Sequence, residues 1–332
     1  MTSTHIKQVA VVGTGVIGAS WAAYFLAHGL KVSATDPSPG ARERLMAAVE
    51  RHWPTLEQSG LASGASISHL TFHDDLEDAL QGAGFVQENG PEREDLKLEL
   101  LRRIDAAVAP EVVIASSSSG LLMSRVQAAC RHPERVLLGH PFNPPHLIPL
   151  VEVIGGERTS AESVERAMAF YRAIGKRPIH PRKELQGHIA NRLQAALWRE
   201  AFHLVSIGAA SVADIDDAIA FGPGLRWAVM GPFVNLHLSG GEGGIQHTLD
   251  HLGPPMEAWW GDLGSPTLTP ALIQQVVDGV KAELGSRSVA SIEATRDRLI
   301  RDLLNARRDA ADTPQTCDEQ TKRTGDSRSR RN

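Results

Sequence analysis

Two segments of this chain carry residue types that do chemistry at spacings able to bring them together. The first is Gly139-His140-Pro141-Phe142-Asn143-Pro144-Pro145, followed closely by Leu150-Val151-Glu152-Val153. A histidine with an unperturbed pKa of about 6.5 takes and returns a proton near neutrality. A buried carboxylate on its other ring nitrogen would fix the tautomer and stabilise the imidazolium. Glu152 interrupts an apolar run, and a lone buried carboxylate is costly unless paired. His140 is its natural partner. Such a pair suits alcohol oxidation, in which a base takes the hydroxyl proton while hydride departs to an acceptor. Spacing alone leaves a blander alternative open, a structural histidine beside a loop.

The second segment runs Val9-Ala10-Val11-Val12-Gly13-Thr14-Gly15-Val16-Ile17-Gly18. It sets Gly-x-Gly-x-x-Gly between an apolar strand and a helix pattern. Gly13 would make the tight turn, Gly15 would let backbone approach a pyrophosphate, and Gly18 would allow close helix–strand packing. Val16 and Ile17 open the helix whose N-terminus meets the phosphate charge. Asp36 ends the next strand, where a carboxylate accepts hydrogen bonds from the adenosine ribose hydroxyls. Pro37-Ser38-Pro39 follows without Arg or Lys to neutralise a 2′-phosphate, so NAD is expected rather than NADP. The alternative is an α/β loop that has lost its ligand.

These residues need a frame. The first ~180 residues alternate strand-like runs (8–12, 31–35, 69–72, 84–87, 112–115, 136–138, 150–153) with helix-like ones (17–27, 41–58, 93–108, 161–173). That alternation predicts an α/β fold with a Rossmann-type, doubly wound, mostly parallel sheet. Four prolines between 141 and 149 stiffen the segment after His140. After about Lys183 the strand signal ends, and 189–207, 212–220, 270–284 and 291–304 read as helices. The expected organisation is a dinucleotide-binding domain over 1–184, an all-helical domain over 185–312, and a polar, aperiodic, disordered tail over 313–332.

Composition narrows the function. The chain has 332 residues, is 42% hydrophobic and 22% charged, and carries a net charge of −5. It lacks the basic excess that nucleic acid or an anionic membrane would require. The two cysteines, Cys130 and Cys317, offer no metal spacing or disulfide framework. His237, His247 and His251 match no ligand pattern, so no metal is expected. The polar Met1–Gln8 segment runs straight into a strand, and no apolar run has the ~18 residues of a membrane span. A cytoplasmic location follows as the expectation.

The chain resembles the 3-hydroxyacyl-CoA dehydrogenase family over roughly 6–310. That family's motif is His-(aromatic)-Phe-Asn-Pro with Glu twelve positions after the His. Here Pro141 replaces the aromatic residue, and Glu152 keeps the interval. Ser116-Ser117-Ser118-Ser119 stands where the family has Ser-Asn-Thr-Ser, and Gly187-His188-Ile189-Ala190-Asn191-Arg192 resembles its Gly-Phe-Ile-x-Asn-Arg. The resemblance implies that Ser119 contacts substrate and nicotinamide and that Asn191 binds the substrate oxygen. It places Glu92, Lys97 and Asn143 against NAD, with a homodimer formed through the helical domain. Within the family the chain is similar to the short-substrate branch, the L-carnitine 3-dehydrogenases and the L-gulonate 3-dehydrogenase known as lambda-crystallin. A carnitine-like 3-hydroxy acid needs an aromatic surface for its trimethylammonium and a cation for its carboxylate. Phe142, Trp198 and Trp227 are candidates for the first and Arg226 for the second. Tyrosines associated with the carnitine branch are replaced by His146 and Leu236, predicting a less aromatic pocket. A CoA substrate is disfavoured because 54–69 contains no Lys or Arg. A non-catalytic structural protein is the remaining alternative, against which the complete His140, Glu152, Ser119 and Asn191 set argues.

Overall fold

A computed structural model describes residues 6–312, with side chains through 310; the tail expected from Thr313 lies outside the described residues. Eight strands form one sheet: β1 (Gln8–Val12), β2 (Lys31–Thr35), β3 (Leu70–Phe72), β4 (Phe85–Glu88), β5 (Val113–Ser116), β6 (Val136–Pro141), β7 (Leu150–Gly155) and β8 (Arg177–Ile179). Their order is β3-β2-β1-β4-β5-β6-β7-β8. The first six are parallel; β7 runs antiparallel to β6 and pairs in parallel with β8.

Helices cover both faces, as a parallel sheet requires. On one face lie α1 (Val16–Ala27), α2 (Ala41–Ser59) and α6 (Ala161–Ala173), packed on Val9, Val11, Val32, Phe85 and Leu137. On the other, α3 (Leu76–Leu80), α4 (Glu94–Ala107) and α5 (Met123–Val126) pack on the alternate residues Ala10, Val12, Val86, Ile114 and Leu138. The period of two along each strand thus feeds two cores. Helix α1 is apolar all round and is buried from Gly18 to Ala27. Arg135, at the entrance to β6, is buried against Asp105 of α4 at 2.7 Å.

The rest is helical: α7 (Ala190–Ser206), α8 (Val212–Ala220), α9 (Pro223–Trp227), α10 (Pro232–Ser239), α11 (Gly244–Asp262), α12 (Pro270–Leu284) and α13 (Val289–Asp312). The described residues through Arg287 form one compact unit, and Ser288 onward a second. The expected boundary at 184/185 falls in the first unit, where His188 takes a positive φ of 52° next to Gly187 at 75°.

Candidate active site

The strand order reverses direction between β1 and β4, and a crevice opens there beyond the carboxyl ends of the strands. Two cavities occupy it. One, of about 540 Å³, is lined by Gly13, Gly15, Asp36, Ser38, Asn89 and Gly90 among others. The second, of about 410 Å³, is lined by Ser119, His140, Phe142, Asn143, Asn191 and also Asn89 and Gly90. The two share a border at Asn89–Gly90.

In the first cavity, Gly13 has φ 86°, and a Cβ on Gly18 would lie 1.9 Å from the Gly13 carbonyl oxygen. Both positions therefore require glycine. Space around Gly15 is open, with nothing within 4 Å of where its Cβ would point. No side chain caps α1, which leaves its first amides without a side-chain acceptor. Asp36 accepts from the Thr14 amide at 2.7 Å and the Ser38 amide at 2.9 Å. Partial burial would raise its pKa, but these amides and the neighbouring hydroxyls outweigh that and hold it below the ordinary carboxylate value. A dinucleotide fits this set: an open backbone and a helix end for the pyrophosphate, and an ionised carboxylate for a ribose.

In the second cavity, antiparallel pairing sets His140 directly opposite Glu152. His140 Nδ1 lies 2.9 Å from Glu152 Oε2. The other carboxylate oxygen accepts from the amides of Ile189 at 2.9 Å and Ala190 at 3.1 Å, at the start of α7. One fully buried carboxylate thus holds both the imidazole and the helix that carries Asn191. Burial pushes Glu152 up, yet the His140 ring and the two amides prevail and leave its pKa below the ordinary value. Since Nδ1 is engaged, Nε2 is the nitrogen left for a substrate proton. The His188 ring lies 5.1 Å from that of His140 and is buried; burial first, then proximity to His140, lowers its pKa.

Glu92 accepts from the Ser118 hydroxyl and the Ser119 and Gly120 amides at 2.6, 3.0 and 2.8 Å. It thereby folds the serine turn that presents Ser119. Val16 is exposed at the start of α1, and Ile17 lines the second cavity. Phe142 meets His140 edge-on at 5.4 Å between ring centroids.

Other expected site residues are placed differently. Lys97 borders the cavity, but its ammonium is buried, bonded to both Glu88 oxygens at 2.7 and 2.8 Å and to the Gly90 carbonyl at 3.0 Å. Its three hydrogen bonds go to the 88–90 loop, which it holds at the cavity wall. Trp198 and Arg226 do not line the cavity; both are solvent-exposed, on α7 and α9. His146, which stands where a pocket tyrosine was expected in the carnitine branch, is buried beside Ser20 of α1, whose hydroxyl lies 2.8 Å from His146 Nδ1. Sequence reasoning missed Glu88, although it too is a carboxylate in an apolar strand. It also missed Gln194, which lines the cavity one turn beyond Asn191. Among the described residues no cluster of His, Cys, Asp or Glu could hold a metal, and no helix is long and apolar enough to cross a membrane.

The family model "3-hydroxyacyl-CoA dehydrogenase, NAD binding domain" matches residues 8–185, and "3-hydroxyacyl-CoA dehydrogenase, C-terminal domain" matches 187–278. An L-carnitine dehydrogenase of Streptomyces coelicolor is 53% identical over 307 residues, 92% of this chain and 96% of that protein. One from a Pseudomonas species is 50% identical over 303 residues, 91% of this chain and 94% of that protein. Among solved structures, the NAD+-dependent dismutase 5-formyl-3-hydroxy-2-methylpyridine 4-carboxylic acid 5-dehydrogenase superposes with a TM-score of 0.78. It is 30% identical, with 92% of this chain and 99% of that one covered.

Proposed function

The chain belongs to the 3-hydroxyacyl-CoA dehydrogenase family and is an NAD-dependent dehydrogenase, and from its site we propose that it oxidises L-carnitine, with His140 as the proton acceptor. NAD, bound across the two joined cavities, supplies the hydride acceptor. His140 Nε2 takes the 3-hydroxyl proton, and the Glu152 carboxylate on Nδ1 stabilises the resulting imidazolium. Ser119 and Asn191 donate to the substrate oxygen, where charge develops. Asp36 holds the adenosine ribose, and Asn143 and the Glu92-supported serine turn border the nicotinamide end. Phe142 offers an aromatic face to a quaternary ammonium.

The His140–Glu152 pair facing the cavity that adjoins the glycine loop carries this reading. The relatives' activity directs it to L-carnitine. Phe142 is the one Phe, Tyr or Trp among the residues lining the cavity, and so sparse an aromatic lining, with polar Ser119, Asn143, Asn191 and Gln194 around it, favours L-gulonate as a second reading. The test follows NADH absorbance with L-carnitine, L-gulonate and 3-hydroxybutyryl-CoA. The highest kcat/KM is expected for L-carnitine; turnover confined to the CoA thioester would overturn a small-acid substrate.

We also propose a homodimer through the helical region. Trp198, Phe221, Trp227, Phe233, Trp259 and Trp260 are all exposed there. At roughly half of 150–250 Å² each, these six alone offer about 600 Å² of apolar surface. Doubled across a two-fold axis, that is about 1,200 Å², the lower end of specific, stable interfaces. The buried free thiol of Cys130 suits the cytoplasm, our proposed location.

A further inference from the structure

Gln87 sits fully buried in β4 of a parallel sheet, where apolar residues are the rule, and Tyr171 of α6 is equally buried behind it. Groups of this kind persist in a core only when every polar atom is satisfied. Here they are, and the satisfaction runs in one direction. The Tyr171 hydroxyl donates to Gln87 Oε1 at 2.6 Å. Gln87 Nε2 donates to the Ser117 hydroxyl at 2.8 Å and to the Gly139 carbonyl at 3.3 Å. Ser117 donates to Asn89 Oδ1 at 2.7 Å, which turns the Asn89 amide nitrogen toward the carbonyl of Gln87 at 2.9 Å. Both endpoints matter. Asn89 borders both cavities and abuts the glycine turn, where a Cβ on Gly13 would come within 2.8 Å of its backbone. Gly139 precedes His140, and a Cβ there would meet the Tyr171 oxygen at 2.1 Å, so the relay also dictates that residue.

We propose that Tyr171, Gln87 and Ser117 form a positioning relay that fixes the orientation of Asn89 relative to His140 and so sets where the nicotinamide end of NAD lies. Hydride transfer requires that end to lie beside the group His140 deprotonates, and the relay ties the two together through β4, β5 and β6. The proposal rests on the joined cavities being the NAD site.

The test measures dissociation constants of NADH and of ADP-ribose, which lacks the nicotinamide, for the wild type, Tyr171→Phe and Ser117→Ala. Tyr171→Phe leaves the buried Gln87 oxygen without its donor; Ser117→Ala cuts the relay at the cavity edge, should the first variant fold poorly. NADH binding is expected to weaken about five-fold or more with ADP-ribose within two-fold. In turnover kcat should fall more than the hydroxy-acid KM rises. NADH affinity unchanged in both variants, or ADP-ribose weakening in parallel, would overturn the relay. A wild type that binds neither ligand would instead sink the assignment of the NAD site.

Discussion

The sheet and the helices that follow it treat their apolar residues in opposite ways. Around the sheet, Trp21, Phe25, Phe85, Leu101, Ile104 and Ile114 are sealed from solvent within two continuous cores. Between Ala190 and Leu284 only Val205 and Leu272 are buried hydrophobics, while Phe221 is 76%, Trp260 63% and Trp198 53% exposed. Both regions are amphipathic in sequence. The sheet finds its complement inside the chain, whereas the helices present theirs outward, the pattern of a domain core cut in half by a subunit boundary. Glu152 bridges the two behaviours, since it binds His140 on the sheet side and the first amides of α7 on the other.

The largest expected effect tests the chemistry assigned to the sheet side. His140→Ala should lower kcat by ~10² or more while NADH affinity stays within about two-fold; retained turnover would remove His140 from its role. The contrast in burial comes next. Leu101→Ala should cost about 2–5 kcal/mol of unfolding free energy at any protein concentration. Leu197→Asp, on the exposed face of α7, should leave the sheet folded but shift the proposed dimer toward monomer. Light scattering against concentration reads this, and an unchanged association state would break the comparison. Asp36→Ala should weaken NADH by about ten-fold through the lost ribose bonds, with kcat at saturating NAD nearly unchanged.

Much of this was legible because local and global signals agree. The apolar run 8–12, the glycine spacing and Asp36 lie within one βαβ unit, so the nucleotide half could be read in order. Spacing alone left His140 and Glu152 open, and it was the resemblance that paired them; the antiparallel register of β6 and β7, which sets residues twelve apart face to face, was not legible in the sequence. Harder to read were features whose partners lie far off in sequence. The commitment of Lys97 to Glu88 depends on α4 crossing the end of β4, and that of His146 to Ser20 on a contact 126 residues away. Helices α9 to α11 were hidden by glycines and prolines that usually mark loops. Pro223 and Pro232 stand in the first turns of α9 and α10, where proline is tolerated, and α11 continues through Pro254 and Pro255. Strand β8 spans three residues, one of them Pro178, and sits at the sheet edge where proline does least harm.

Acid stability offers a finer test of the junction between the two regions. His188 has a lowered pKa in the fold, so the unfolded chain binds its proton first. Stability it contributes is complete above about pH 6.5 and declines as pH falls below that value. Glu152 is also lowered, and its contribution is present above about pH 4.3 and lost as pH falls through its folded value. The wild type should therefore lose stability in two stages on acidification. His188→Phe, which keeps a ring of similar size in the same buried place, should shrink the first stage, to which His28 also contributes through its own burial-lowered pKa, and leave the second. Denaturant midpoints measured from about pH 7.5 to about 2.5 span both stages, and identical profiles for the two proteins would show that His188 is not held neutral by its burial against His140.

The smallest effect belongs wholly to the helical side. Ser211 accepts from the Asp214 amide at 3.1 Å, and the Asp214 carboxylate accepts in return from the Ser211 amide at 3.2 Å, a reciprocal cap at the start of α8. Ser211→Ala should cost about 1 kcal/mol. In a region with little core of its own, helix ends carry a larger share of local order than they do beside the sheet. The loss should therefore register in hydrogen exchange of α8 before it moves the global melting temperature. Exchange in α8 no faster than in the wild type would mean that this helix is held by packing after all, and the contrast between the two regions would narrow accordingly.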